Sequence, residues 1–135
     1  MTTPVVLFVC VKNGGKSQMA AGLMRKAAGV DVEVHSAGTR PGSAVNALSA
    51  ESLLEVGVDI TGELPKPIDP DVLARADYVV TLGREAEVEV IEGPTFENWD
   101  TVEPSERGID GIERMRLVRD DITTRVDDLV TRLRS

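Results

Sequence analysis

The chain has 135 residues, one cysteine and a formal net charge of −8. That length fits a single domain, and one cysteine excludes an internal disulfide framework. No apolar run reaches membrane-spanning length, no leader-like segment opens the chain, and an acidic chain without a basic stripe is a poor nucleic-acid binder, so a cytoplasmic protein without a nucleic-acid or membrane partner is expected. Residues 5–9 form a continuous apolar, β-branched run, the pattern of a strand buried on both faces of a parallel sheet. Residues 10–16, with Asn13-Gly14-Gly15, read as a loop, and an Ala/Met/Leu-rich helix follows over residues 17–28 with Gly29 as its stop. Residues 31–36 alternate as a second strand, and residues 36–42 form a loop. Residues 46–56 read as a helix ended by Gly57. A proline-punctuated connection over 64–70 leads into a short helix over 70–76, then a buried strand over 78–82. The acidic stretch 84–97 suggests a short helix and then a strand near Phe96–Trp99. Ile112, Met115, Val118, Ile122, Val126, Leu129 and Leu133 recur at helical spacing, which predicts a long amphipathic C-terminal helix. The fold class expected is three-layer α/β, a four-stranded parallel open sheet flanked by helices in one domain over 1–135.

The chemistry concentrates at the first strand–loop–helix. Residues 1–48 carry a net charge of +3 while residues 49–135 carry −11, so the basic third is where an anion belongs. Cys10 ends the first strand, at the edge where open α/β sheets bind ligands. The backbone N–H groups of Val11, Lys12, Asn13, Gly14, Gly15, Lys16 and Ser17 can curl into a nest around one point, and the helix N-terminus adds positive potential there. Asn13, Gly14 and Gly15 tolerate the positive φ angles such a ring needs. Lys16 adds a cation at the rim. Ser17 can donate a hydrogen bond to the sulfur, whose thiolate form this field favours. The result is a nucleophile inside an oxyanion cradle. His35, the one histidine, has no partners for a metal site, and none is expected. Arg40 and Arg107 read as solvated loop arginines, with lining of the site's mouth as the alternative.

Cys10-x5-Lys16-Ser17 after a buried strand resembles the phosphate loop of the low-molecular-weight protein tyrosine phosphatases, whose motif is Cys-x5-Arg-Ser with a Gly-Asn pair inside. Here Lys12-Asn13 stands in the place of Gly-Asn, and Lys16 in the place of the arginine. Ser36-Ala-Gly-Thr39 is similar to the family's second-strand exit, whose serine braces the loop asparagine, so Ser36 is expected to brace Asn13. Val79-Val-Thr-Leu82 and Arg116-Leu-Val-Arg-Asp120 are similar to its later strand and the start of its last helix. Glu103-Pro104, after Trp99, occupies the position of its Asp-Pro general acid, with Asp100 as the understudy. Relatives that bind a structural potassium use a glutamate where Ala21 stands.

Ser17-Gln-Met-Ala20 is similar to the arsenate reductases of that superfamily. The thioredoxin-coupled ones use three cysteines in sequence; this chain has one, so an internal disulfide cascade is impossible. The resemblance is then closest to the mycothiol-dependent arsenate reductases (arsenate–mycothiol transferases). It implies that Cys10 attacks arsenate and that arsenic passes to mycothiol, an external low-molecular-weight co-substrate. Mycoredoxin, a glutaredoxin-like partner, then completes the reduction, with no bound cofactor. Lysine lacks arginine's planar fork, which weighs against the alternative of a low-molecular-weight phosphatase. The other alternative is a non-catalytic oxyanion-binding module.

Overall fold

The computed structural model describes residues 3–134. Four strands, β1 (Val5–Cys10), β2 (Glu33–Gly38), β3 (Tyr78–Leu82) and β4 (Thr95–Trp99), form one sheet in the order β2-β1-β3-β4. Every pairing is parallel, with Val5 beside Glu33, Leu7 beside Val79 and Leu82 beside Trp99. The expected sheet is therefore the observed one. β1 lies in its interior, which is why its five apolar residues are all buried.

Side chains alternate across β1. Val6 and Phe8 point to the larger core, with Met19, Met24, Leu53, Ile60 and Ile122. Val5, Leu7 and Val9 point to the smaller one, with Val72, Ala76 and Val79. The helices divide accordingly. α1 (Lys16–Ala28), α2 (Ala47–Leu54) and α4 (Gly111–Arg134) contribute to the larger core, and the six-residue α3 (Pro70–Arg75) to the smaller. Only four aromatic residues serve this interior, and Phe8 and Trp99 meet as a tilted pair with centroids 5.5 Å apart. The stripe on α4 is buried at Val118, Ile122, Val126 and Leu129, while Ile112, Met115 and Leu133 at its ends are half-buried.

Several element bounds differ from the sequence reading, and one expected helix is absent. β2 starts at Glu33, because Asp31 belongs to a short 3-10 turn, and it runs on to Gly38. α1 begins one residue earlier, at Lys16. α2 is shorter, from an Asn46 cap whose side chain accepts the Ser49 N–H to Leu54, with Gly57 at φ 81°. No helix forms between residues 84 and 94. Glu85 and Glu89 would stand one helical turn apart and repel. Buried Ala86 and half-buried Val88 are instead two residues apart, the spacing of an extended chain that turns alternate side chains inward. Among the described residues, no helix is long and apolar enough to cross a membrane.

Candidate active site

The loop from Cys10 to Lys16 is shaped by where its carbonyls go. Thr39 N–H donates to Cys10 C=O (3.1 Å), Arg40 N–H to Val11 C=O (2.8 Å), Gly42 N–H to Lys12 C=O (2.9 Å) and Asn46 N–H to Gly14 C=O (2.6 Å). The segment after β2 thus takes the loop's acceptors on its outer side. A trans peptide points its N–H opposite to its C=O, so the N–H groups of the same peptides turn inward. One of them, the Asn13 N–H, donates to Cys10 Sγ at 3.2 Å. Among the described residues, those of Gly14 and Gly15 have no protein acceptor.

Asn13 organises the interior. It is fully buried, and it is the one non-glycine residue with positive φ (53°) among those described. Gly14 and Gly15, expected to share that conformation, do not adopt it. Gly14 is needed for a different reason: a Cβ there would lie 2.9 Å from the Ala44 carbonyl oxygen. The Asn13 side chain then sets a direction of hydrogen bonding. Its Oδ1 accepts the backbone N–H of Lys66 at 3.1 Å, a donor that cannot reverse. Gln18 Nε2 donates to the same oxygen at 3.1 Å. Nδ2 is therefore the donor to Ser17 Oγ, 2.8 Å away. With its oxygen accepting from Asn13, the Ser17 hydroxyl is left to donate to Cys10 Sγ, also at 2.8 Å. A chain of fixed polarity runs from Lys66 through Asn13 and Ser17 to the sulfur, where the Ser17 hydroxyl and the Asn13 N–H both donate and favour negative charge.

Ser36 does not brace Asn13, contrary to the expectation. It is buried one strand away, and its Oγ accepts from Lys66 Nζ at 3.2 Å. Its support is indirect, through Lys66. Lys66 sits between Pro65 and Pro67, which hold the segment extended. Its N–H goes to Asn13 and its C=O accepts the Gly38 N–H at 2.8 Å. Burial pushes the Lys66 ammonium below the usual lysine range. Lys66 and Gln18 received no role from the sequence. The Pro-Lys-Pro triplet and the Ser17-Gln18 pair were the signals available.

Lys16 Nζ lies 3.9 Å from Glu103 Oε2, so residue 103 does reach the loop rim. Its carboxylate is held by a two-point fork from Arg114 (Nε 2.6 Å, Nη2 3.0 Å) and by the Ser105 hydroxyl (2.8 Å). The Arg114 guanidinium and Ser105 hold the Glu103 carboxyl down to about 2, so at neutral pH it is ionised. That is the wrong form for a proton donor. Asp100, the understudy, is gripped by Arg84 (2.7 and 3.0 Å) and is likewise held below the usual carboxylate range. His35 stays on β2, where its Nε2 meets Glu33 at 2.6 Å.

The profile of the low-molecular-weight phosphotyrosine protein phosphatases matches residues 5–135. This chain belongs to that family. As a member, it is similar to arsenate reductase 2 of Staphylococcus epidermidis, 33% identical over 98% of this chain and the whole of that one. It is also similar to an arsenate reductase of Staphylococcus aureus, 31% identical over the same span. Among solved structures it superposes on a thioredoxin-dependent arsenate reductase of Corynebacterium glutamicum with a TM-score of 0.81 at 34% identity, covering 99% of this chain and 63% of that one. An arsenate reductase in a phosphate-binding state superposes at 0.78 and 28% identity over 96% of this chain and 98% of that one. The family fold therefore spans the chain, with the loop at the carboxyl edge of its sheet.

Proposed function

We propose that this phosphatase-family member reduces arsenate, with Cys10 as nucleophile and an external small thiol as reductant. The observation that carries this is the sulfur at the end of β1. It accepts hydrogen bonds from Asn13 N–H and Ser17, beneath a loop whose Gly14 and Gly15 N–H groups are open to an oxyanion. The likeness to arsenate reductases over 98% of the chain supports the choice of oxyanion.

Arsenate binds the inward N–H groups of residues 11–17, with Lys16 at the rim. Cys10 thiolate attacks arsenic, a sulfur–arsenic bond forms, and one arsenate oxygen leaves as water after protonation. Glu103 can relay that proton only with the Arg114 fork open and after taking it up from solvent; while gripped it orients Lys16 and Arg114 at the rim. With one cysteine, no second thiol of the chain can attack Cys10. Mycothiol takes arsenic from Cys10, giving a mycothiol–arsenic adduct. A mycoredoxin thiolate then attacks the mycothiol sulfur, the electron pair of the sulfur–arsenic bond passes to arsenic, and arsenite leaves with a mixed disulfide behind it.

The test is arsenate turnover with mycothiol plus mycoredoxin, with thioredoxin alone, and with Cys10→Ser. Turnover is expected only in the first case. Activity with thioredoxin alone, or retained by Cys10→Ser, overturns the proposal. The family's phosphatase chemistry is the second reading. It predicts strong hydrolysis of p-nitrophenyl phosphate, raised further by Lys16→Arg, which restores the planar fork. Stoichiometric oxyanion binding without turnover in either assay marks a binding module.

A further inference from the structure

Beside the Cys10 loop lies a cleft of about 590 Å³. Loop residues Lys12 and Lys16, then Arg40 and Ser43 after β2, and Arg114 at the start of α4 are among its lining, and no acidic side chain is. Most basic residues of this acidic chain are spent on partners: ten form ion pairs, Lys26 donates to a carbonyl and Lys66 to Ser36. Among the described basic residues, only Lys12, Arg40 and Arg107 have side chains with neither an ion pair nor a hydrogen bond, and two of these three line this cleft. Arg40, read from sequence as a solvated loop arginine, belongs to it, whereas Arg107 does not.

Size decides what the cleft is for. Four oxygens at the liquid-water share of ~30 Å³ each bound a tetrahedral oxyanion at roughly 120 Å³. Most of the cleft is left over, and its volume is that of a site for a small organic molecule. Its position fits a co-substrate. Cys10 does not line it, but Lys12 does, and two residues of chain span at most about 7 Å. A molecule seated there lies against the loop that carries the sulfur, since Lys12, Gly14, Gly15 and Lys16 are all in its lining.

We propose that this cleft seats the non-reacting body of the small thiol that takes arsenic from Cys10, and that this body is rich in hydrogen-bond acceptors, held by Lys12, Arg40 and Arg114. The proposal rests on the arsenate-reductase reading above. In the step it serves, the thiolate sulfur attacks arsenic, a new sulfur–arsenic bond forms and the Cys10–arsenic bond breaks. Cys10 leaves as thiolate, the incoming thiol's proton passes to solvent, and arsenic stays pentavalent, so no redox partner is needed yet. The acceptors can be the hydroxyls and carbonyls of a sugar thiol or the carboxylates of a peptide thiol.

The experiment compares the wild type with Arg40→Ala and with Ser43→Trp, the latter filling the cleft from an exposed loop position. Arsenate turnover is measured, with mycoredoxin present throughout to complete the reduction, with mycothiol, with glutathione and with 2-mercaptoethanol, which has the thiol but almost no body. Both variants are expected to raise KM for mycothiol or glutathione about fivefold or more. KM for arsenate and the rate with 2-mercaptoethanol should stay within about twofold. An Arg40→Ala effect abolished by high salt assigns the acceptors to carboxylates; a salt-insensitive one assigns them to hydroxyls. If the wild type turns over arsenate but both variants leave every KM unchanged, or raise all three thiols alike, the cleft proposal falls and the arsenate reading survives. If no thiol supports turnover by the wild type, the arsenate reading itself falls.

Discussion

Replacing Asn13 by alanine removes three side-chain hydrogen bonds at once: to Ser17 Oγ, from Gln18 Nε2 and from the Lys66 N–H. At a net ~1 kcal/mol each, they contribute about 3 kcal/mol. The backbone adds a second cost, because Asn13 sits at φ 53° and an alanine in the left-handed region costs about 1 kcal/mol. The sum, about 4 kcal/mol, is a large part of the 5–15 kcal/mol that typically holds a domain together. Urea unfolding reads it directly: with a slope of about 2 kcal/mol/M, the midpoint of Asn13→Ala should fall by about 2 M. Asn13→Gly separates the terms, since glycine accepts positive φ freely and should be about 1 kcal/mol more stable than the alanine variant. Asn13→Asp keeps the acceptor for Lys66 but removes the donor to Ser17. The Ser17 hydroxyl can then turn to the new carboxylate, and alkylation of Cys10 by iodoacetamide should slow about tenfold, the worth of one hydrogen bond to a charged group. A midpoint shift below about 0.5 M for Asn13→Ala, or equal stability of the alanine and glycine variants, would refute the accounting. An unchanged alkylation rate in Asn13→Asp would refute the directional chain.

Three further outcomes follow from the same geometry. Glu103 is held at about 2, below its ordinary 4.5, so its bonds to Arg114 and Ser105 stabilise the fold fully above about pH 4.5, and that contribution is lost as pH falls towards 2. Glu103→Gln should cost on the order of 1 kcal/mol at pH 6 after solvent screening, and the gap to wild type should close near pH 2; a pH-independent gap in acid-unfolding curves would count against this. Gly38→Ala puts a Cβ 2.7 Å from the Val11 carbonyl oxygen and 3.0 Å from Asn13 Cβ, so it should cost about 1–3 kcal/mol and most of the Cys10 reactivity, in contrast to Gly62→Ala, where a Cβ meets nothing within 4 Å. Ile122→Ala, in the larger core and remote from the loop in chain order, should cost about 2–5 kcal/mol in urea unfolding yet leave iodoacetamide reactivity of the folded protein unchanged.

Signals carried by neighbouring residues were legible in the sequence. The apolar run of β1, the glycine loop and the Ala/Met-rich helix place Cys10 and Ser17 only seven residues apart, so strand, loop and helix together dictate their meeting at 2.8 Å. The parallel pairing of β1 with β2 and β3 follows from apolar runs separated by helical segments, and the α4 stripe from its spacing of three and four. Where local signals were weak, the expectation failed: residues 84–94 are acidic with no helical stripe, and they form no helix, with Val88 packed against the smaller core. The partner of Ser36 was misassigned because burial on a strand does not say which donor arrives from elsewhere; the donor is Lys66, 30 residues away. Tertiary structure alone decided the rest. Lys66 reaches Asn13 across 53 residues, Arg114 reaches Glu103 and holds its carboxyl below the usual carboxylate range, and Lys12 and Arg40 share a cleft with Arg114. A hydrogen bond or ion pair acts over about 3 Å, whereas periodicity and composition describe which face is buried. The strand, loop and helix that place Cys10 were therefore readable from local sequence, and the supports of its loop, the ion pairs at the rim and the cleft beside it existed only once the chain had folded.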